Sequence, residues 1–109
     1  MATVPKILGQ SRPNATTLTD LYTVPAVTNA TVSSLVVCNT SATSTSFRIS
    51  SAIAGAGDGL DQYLFYDITI AGNDSFVATV GLTLATTDKI RVYATLATLT
   101  FTAFGIEES

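Results

Sequence analysis

Two aspartates, one cysteine and four tyrosines are the residues of this chain whose types could carry chemistry. Asp58 and Asp61 stand three apart in Ala54-Gly55-Ala56-Gly57-Asp58-Gly59-Leu60-Asp61. Two neighbouring carboxylates can act as general acid and base on a glycosidic bond, or supply part of a calcium loop. The further oxygens of a calcium loop are missing from the segment, and nothing else in the chain supports a sugar cleft. As a phosphate loop it lacks the Gly-Lys-Ser/Thr ending, and no helix follows it. Gly and Asp are also the residues that turns select, so a flexible connection between strands explains the segment best. A loop of this length on a rigid scaffold is a natural contact element.

Cys38, at the end of Val36-Val37-Cys38-Asn39, has no base to form its thiolate, because the chain contains no histidine. A small buried core side chain is the expectation. Tyr22, Tyr63, Tyr66 and Tyr93 could stack on sugars or bases, although aromatic residues in strands more often anchor cores or interfaces. All four asparagines, at 14, 29, 39 and 73, begin Asn-x-Ser/Thr triplets. With so much Ser and Thr such triplets arise easily, and turn chemistry accounts for them.

Composition narrows the function classes further. In 109 residues, five Lys and Arg against eight Asp and Glu give 5 − 8 = −3, and charged residues are 12% of the chain. Phosphate-backbone binding needs clustered cations, so no nucleic-acid partner is expected. An apolar content of 47% argues for a packed core, and 109 residues suffice for one domain, 1–109. A single Cys and no His exclude an internal disulfide framework, a Cys/His zinc site and a His-dependent triad. No cofactor and no metal are expected, and the protein is read as no enzyme. No apolar run reaches the roughly 20 residues of a membrane helix, and none near the N-terminus resembles a signal-peptide core. The expectation is synthesis in the cytoplasm, with no membrane partner.

The elements that must position these residues are strands. In Phe76–Leu84 the even positions are apolar and the odd ones are mostly polar or small, the period-two pattern of a half-buried strand. The same alternation recurs through Phe47–Ile53, Ile90–Leu96 and Leu99–Ala103. Nineteen Thr, many Val and Ile, and few Glu, Lys or Gln favour strands over helices. Eight strands are expected, near 4–9, 18–24, 30–38, 45–53, 62–70, 75–84, 89–96 and 99–104, separated by Asn, Asp, Gly and Pro. An all-β antiparallel sandwich follows, with jelly-roll and immunoglobulin-like orders both open. Strand 62–70 reads as the most fully buried. Leu64, Tyr66, Ile68 and Ile70 form one face and Tyr63 and Phe65 begin the other, as in a central strand or one covered by a neighbouring subunit. Glu107-Glu108-Ser109 reads as a solvated tail.

Several segments resemble a family of small virion proteins of tailed bacteriophages, notably of cyanophages and other aquatic phages. They are Leu8-Gly9-Gln10-Ser11-x-Pro13-x-Ala15-x-Thr17-Leu18-Thr19-Asp20-Leu21-Tyr22-Thr23-Val24-Pro25, Val37-Cys38-Asn39 and Asp61-Gln62-Tyr63-Leu64-x-Tyr66-Asp67, with Asn73-Asp74-Ser75-Phe76, Val92-Tyr93-Ala94 and Phe104-Gly105-Ile106-Glu107. The resemblance spans nearly the whole chain, and its motifs are structural. It implies a virion component on the capsid surface, a decoration or cement protein ahead of a tail or fibre position. The implied partners are the phage major capsid protein and further copies of this chain, a trimer ahead of a dimer.

A cement protein needs a rigid sandwich, apolar patches and edges that touch the shell. Tyr63, Phe65, Tyr22, Tyr93, Asp58 and Asp61 are the candidate interface residues. The stretch Ala2–Ser11 is either an extended arm that adds a strand to a neighbouring sheet or, slightly ahead, an ordinary first strand. Two other classes stand beside this reading. One is a receptor-binding module that holds a host surface glycan with its tyrosines and the 55–61 loop. The other, more distant, is a small hydrolase built on Asp58 and Asp61.

Overall fold

Alternating apolar residues can be buried only if two sheets face each other, and the chain solves this with eight strands. The computed structural model describes residues 3–109. The strands are β1 (Thr3–Ser11), β2 (Thr19–Thr23), β3 (Asn29–Asn39), β4 (Thr45–Ala52), β5 (Tyr63–Ile70), β6 (Ser75–Leu84), β7 (Lys89–Ala94) and β8 (Leu99–Glu108). One sheet has the order β1-β8-β3-β6 and the other β2-β7-β4-β5, every pairing antiparallel. Only β4 and β5 are neighbours both in sequence and in a sheet; every other connection passes from one sheet to the other. This is the jelly-roll order, so of the two sandwiches left open by the sequence the immunoglobulin-like one is set aside.

The inner faces interlock through Leu35, Val37, Phe101 and Ala103 on the first sheet and Phe47, Ile49, Ile90 and Val92 on the second, all buried. Phe47 is the centre of an aromatic cluster, its ring 6.1 Å from Phe101 edge-on and 5.2 Å from Phe76. Removing a buried Phe of this kind costs about 3–5 kcal/mol. Asn39, at the end of β3, is the largest of the buried polar residues, which also include Ser50, Thr28 and Thr45. Its amide donates to the carbonyls of Thr43 and Ala71 while its Oδ1 accepts the Ser41 N–H. The turn role expected for asparagine holds there, and Asn73 sits in a turn with φ 55°.

The edge of the sandwich formed by β1 and β2 is sealed. Gly9 of β1 lies so close to the Leu21 carbonyl oxygen of β2 that a Cβ would collide with it. Beside it Tyr22 donates to Glu107 Oε2 at 2.5 Å, and Lys6 reaches Oε1 of the same carboxylate at 3.0 Å. This ties β2 of one sheet to β8 and β1 of the other. Bulges bend the first sheet at one level: the register shifts between Ile7 and Gly9 and between Val32 and Ser34, where Gly81 of β6 takes φ 68°.

Five expectations need correction or completion. Strand 62–70 is not central: β5 is an edge strand, with Leu64 and Tyr66 exposed. Its two apolar faces come from Asp67, which takes φ 52° where the register slips, so that Phe65 and Ile68 both turn inward across the irregularity. Cys38 is half-buried, not core, because it alternates with the buried Val37 and Asn39 and pairs with Ser75 and Thr100 on the outer face. Glu107 and Glu108 are not a solvated tail but the last two residues of β8, paired with β1 and β3. The 55–61 loop is not a free connection. It carries two single 3-10 turns, Ile53–Gly55 and Leu60–Gln62, and is tied to its own sheet as described below. Of the segment read as arm or first strand, Ala2 lies outside the described residues, while Thr3–Ser11 pairs with β8 along its length.

Candidate contact surface

Side chains that alternate with the core of β4, β5 and β7 emerge on the outer face of the second sheet, and this face collects the charges. Arg48 and Tyr93 are cross-strand partners there. The Arg48 guanidinium lies 4.2 Å from the centre of the Tyr66 ring and 4.5 Å from that of Tyr93, and it grips Asp67 at 2.6 and 3.3 Å. Each cation–π contact at an exposed site is worth about 0.5–1 kcal/mol. The Asp67 hydrogen bond pushes the guanidinium further above its ordinary range and keeps it charged. Tyr63 stands edge-on to Tyr66 at 5.1 Å, and its hydroxyl donates to Asp58 at 3.0 Å. Burial, then the Asp58 bond, raise the Tyr63 phenol above its usual pKa.

A second charged group pins the loop. Arg91 of β7 donates to the carbonyls of Ala56 at 2.6 Å and Gly55 at 3.0 Å, and also to Asp20 at 3.2 Å. Lys89 meets the same Asp20 at 2.8 Å, and these partners hold that carboxyl below the usual range. Asp88 caps from the other side, accepting the Ala54 and Ala85 N–H groups. Gln62 Nε2 donates to Gly57 O within the loop itself.

Four of the six candidate interface residues meet in or beside this cluster. Tyr63, Tyr93 and Asp58 belong to it directly, and Asp61 lies exposed in the adjoining loop. Phe65 does not join them, because its ring turns inward to Phe76 at 5.4 Å. Tyr22 does not either; it is 7% exposed, with its hydroxyl committed to Glu107, so it has no ring face to offer a partner. Arg48, the residue that organises the cluster, was missed. The alternation Phe47-Arg48-Ile49 marks it as outward-facing, but only the strand register shows that two tyrosines flank it.

The outer face of the first sheet is of opposite character. The pairings put Ile7 beside Phe104, Pro5 beside Ile106, Val36 beside Thr102 and Val77, and Ser34 beside Thr79. Between Arg12 at one end and Glu108 at the other, the outward residues of these four strands are Thr, Ser, Val, Ile, Phe, Pro, Gln and Cys. Phe104 and Ile106 line an open groove of about 340 Å³ together with Pro5, Thr31, Ser33 and, at the β1 edge, Lys6. Among the described residues the ion pair of this sheet is Lys6–Glu107 at its β1 rim, and the middle of the surface is uncharged.

The carboxylates serve as structural acceptors: Asp20, Asp58, Asp67, Asp74, Asp88 and Glu107 each hold a side-chain or backbone donor. Among the described residues, no three His, Cys, Asp or Glu side chains are grouped so as to hold a metal ion. Neither a known protein-family model nor a curated protein sequence matches the chain.

Proposed function

We propose that this protein is a non-enzymatic virion structural protein, a capsid decoration or cement protein that binds the outer shell of a tailed phage as a homo-oligomer and stabilises it. The observation that supports this reading is the difference between its two outer faces. One carries the Arg48, Arg91, Asp20 and Asp67 ion pairs suited to water, and the other has an uncharged centre, with Lys6, Arg12 and Glu108 only at its rim, suited to burial against another protein. A cement protein has one side on the shell and one side in solvent. Many weak copies acting together would resist the outward pressure of packaged DNA. The jelly roll serves both viral shells and lectins, so the faces and not the fold favour this assignment.

The test is binding of the purified protein to phage heads that lack it. Saturable binding at icosahedral copy numbers, with heads more resistant to heat, is the expected result. Val36→Lys or Thr102→Lys, each placing a charge on the uncharged face, should abolish binding while Arg48→Ala leaves it intact.

The tyrosine–arginine cluster favours one second reading, a tail or fibre module that holds a host surface glycan on Tyr63, Tyr66 and Arg48. In that case Tyr66→Ala and Arg48→Ala would abolish attachment to cells or glycans, the lysine variants would not, and heads would not be bound.

A further inference from the structure

A sandwich of two four-stranded sheets has four edge strands, each presenting unpaired backbone donors and acceptors to which another strand can add. Here the edges are β1, β2, β5 and β6. Three of them are guarded. β1 carries Pro5 and Lys6, and β2 is five residues long and bears Asp20. β5 is interrupted at Asp67, whose carboxylate is held by Arg48. β6, Ser-Phe-Val-Ala-Thr-Val-Gly-Leu-Thr-Leu, contains neither charge nor proline over ten residues. Its one irregularity is the bulge at Val80–Gly81, which leaves Ser75–Thr79 in regular register with β3.

The apolar surroundings of β6 are unfinished in the same direction. Phe76, Val80 and Leu82 of β6 and Phe65 and Ile68 of β5 pack against the core yet remain only partly buried. Val77 is 62% exposed on the outer side. The β1/β2 edge, by contrast, is closed by Gly9 and by the Tyr22–Glu107–Lys6 group.

We infer that β6 is the self-association edge, pairing antiparallel with β6 of a second copy about a two-fold axis. The strand is self-complementary for this. In antiparallel pairs, residues directly opposite share a face, so inward residues meet inward ones only if the axis passes through a residue of the strand. With the axis at Val77, Phe76 lies opposite Ala78; at Ala78, Phe76 lies opposite Val80 and Val77 opposite Thr79. Both arrangements bring apolar inward residues together and put no like charges opposite each other. Self-pairing of β1 or β2 would bring Lys6 or Asp20 toward its own copy. The outer face, uncharged at its centre, would then run on into that of the second copy as one eight-stranded surface. This deepens the homo-oligomer part of the proposed function, but its test needs no phage shell and so fails or succeeds separately.

The experiment is sedimentation of the purified full chain across concentration. The expected particle is twice the 11.3 kDa chain mass. Val77→Lys and Val77→Glu should each sediment as monomers with unchanged circular dichroism, since Val77 is exposed. Mixed in equal amounts, the two variants should recover the double mass, because the opposite charges then lie directly across from each other with the axis at Val77, or diagonally across and within reach of the long side chains with the axis at Ala78. A wild-type monomer or trimer, or variants that keep the wild-type mass, would overturn the pairing.

Discussion

Tyr22 and Glu107 are 85 positions apart in the chain, and the single hydrogen bond between them joins the two sheets. Glu107 is flanked by the Tyr22 hydroxyl and the Lys6 ammonium, which together hold its carboxyl below the usual range. A carboxyl that is more acidic folded than unfolded adds stability above its unfolded pKa, and loses it as pH falls through the folded value. Asp20, lowered by Lys89 and Arg91, acts in the same sense. Thermal melts should therefore lose stability as pH drops below the ordinary carboxylate range, and Glu107→Gln should flatten part of that slope. Tyr22 has the opposite sign. Burial and Glu107 raise its phenol, so its contribution is complete below the ordinary tyrosine pKa and disappears on alkaline titration through the higher folded value. Tyr22→Phe removes a donor from a half-sheltered carboxylate and should cost about 1.5–3 kcal/mol in denaturant unfolding. Lys6→Ala, which breaks a more exposed pair, should cost less than about 1 kcal/mol.

Two glycines in edge strands separate close approach from backbone conformation. A Cβ on Gly9 would strike the Leu21 carbonyl of the facing sheet, so Gly9→Ala must pry β1 from β2 and should cost about 3 kcal/mol or more. Gly81 has φ 68° with open space around it, so Gly81→Ala should cost only about 1–2 kcal/mol, the strain of the left-handed region. Urea unfolding midpoints of the two variants test the contrast. The sequence reading located all eight strands, because period-two burial and turn residues are local signals. It ended the last strand at 104, four residues short, because Glu107 looks solvent-seeking until Tyr22 and Lys6 are seen beside it. Strand order lay outside local signals altogether. Tyr63 and Phe65 marked β5 as doubly apolar, but whether a strand is central or at an edge depends on pairings with residues far along the chain. The contact cluster was half legible for the same reason: Tyr63, Tyr93 and Asp58 could be named, whereas Arg48 is significant only through the register that sets it between two rings.

At the scale of the whole molecule, 45 × 27 × 19 Å, the two outer faces predict different responses to salt. Docking through ion pairs weakens as the Debye length shrinks from about 10 Å at 0.1 M to about 3 Å at 1 M. Docking through the outer face of the first sheet removes apolar and hydroxyl surface from water without neutralising charge, so it should not weaken that way. Binding to heads that lack the protein is expected to change less than about threefold between 0.1 and 1 M sodium chloride, because screening acts on charges, and this face carries them only at its rim. Ammonium sulfate should strengthen it, as excluded salts favour burial of apolar surface. The intramolecular ion pairs of the other sheet supply a control within the same molecule. Arg48, Arg91 and Lys89 already have Asp67 and Asp20 as partners, so a shell recruiting them must first separate those pairs. A tenfold or larger loss of binding across the same salt range would show that the charged face is the one that docks. Thr102→Lys would then leave binding intact and Arg48→Ala would abolish it, the reverse of what the uncharged sheet predicts.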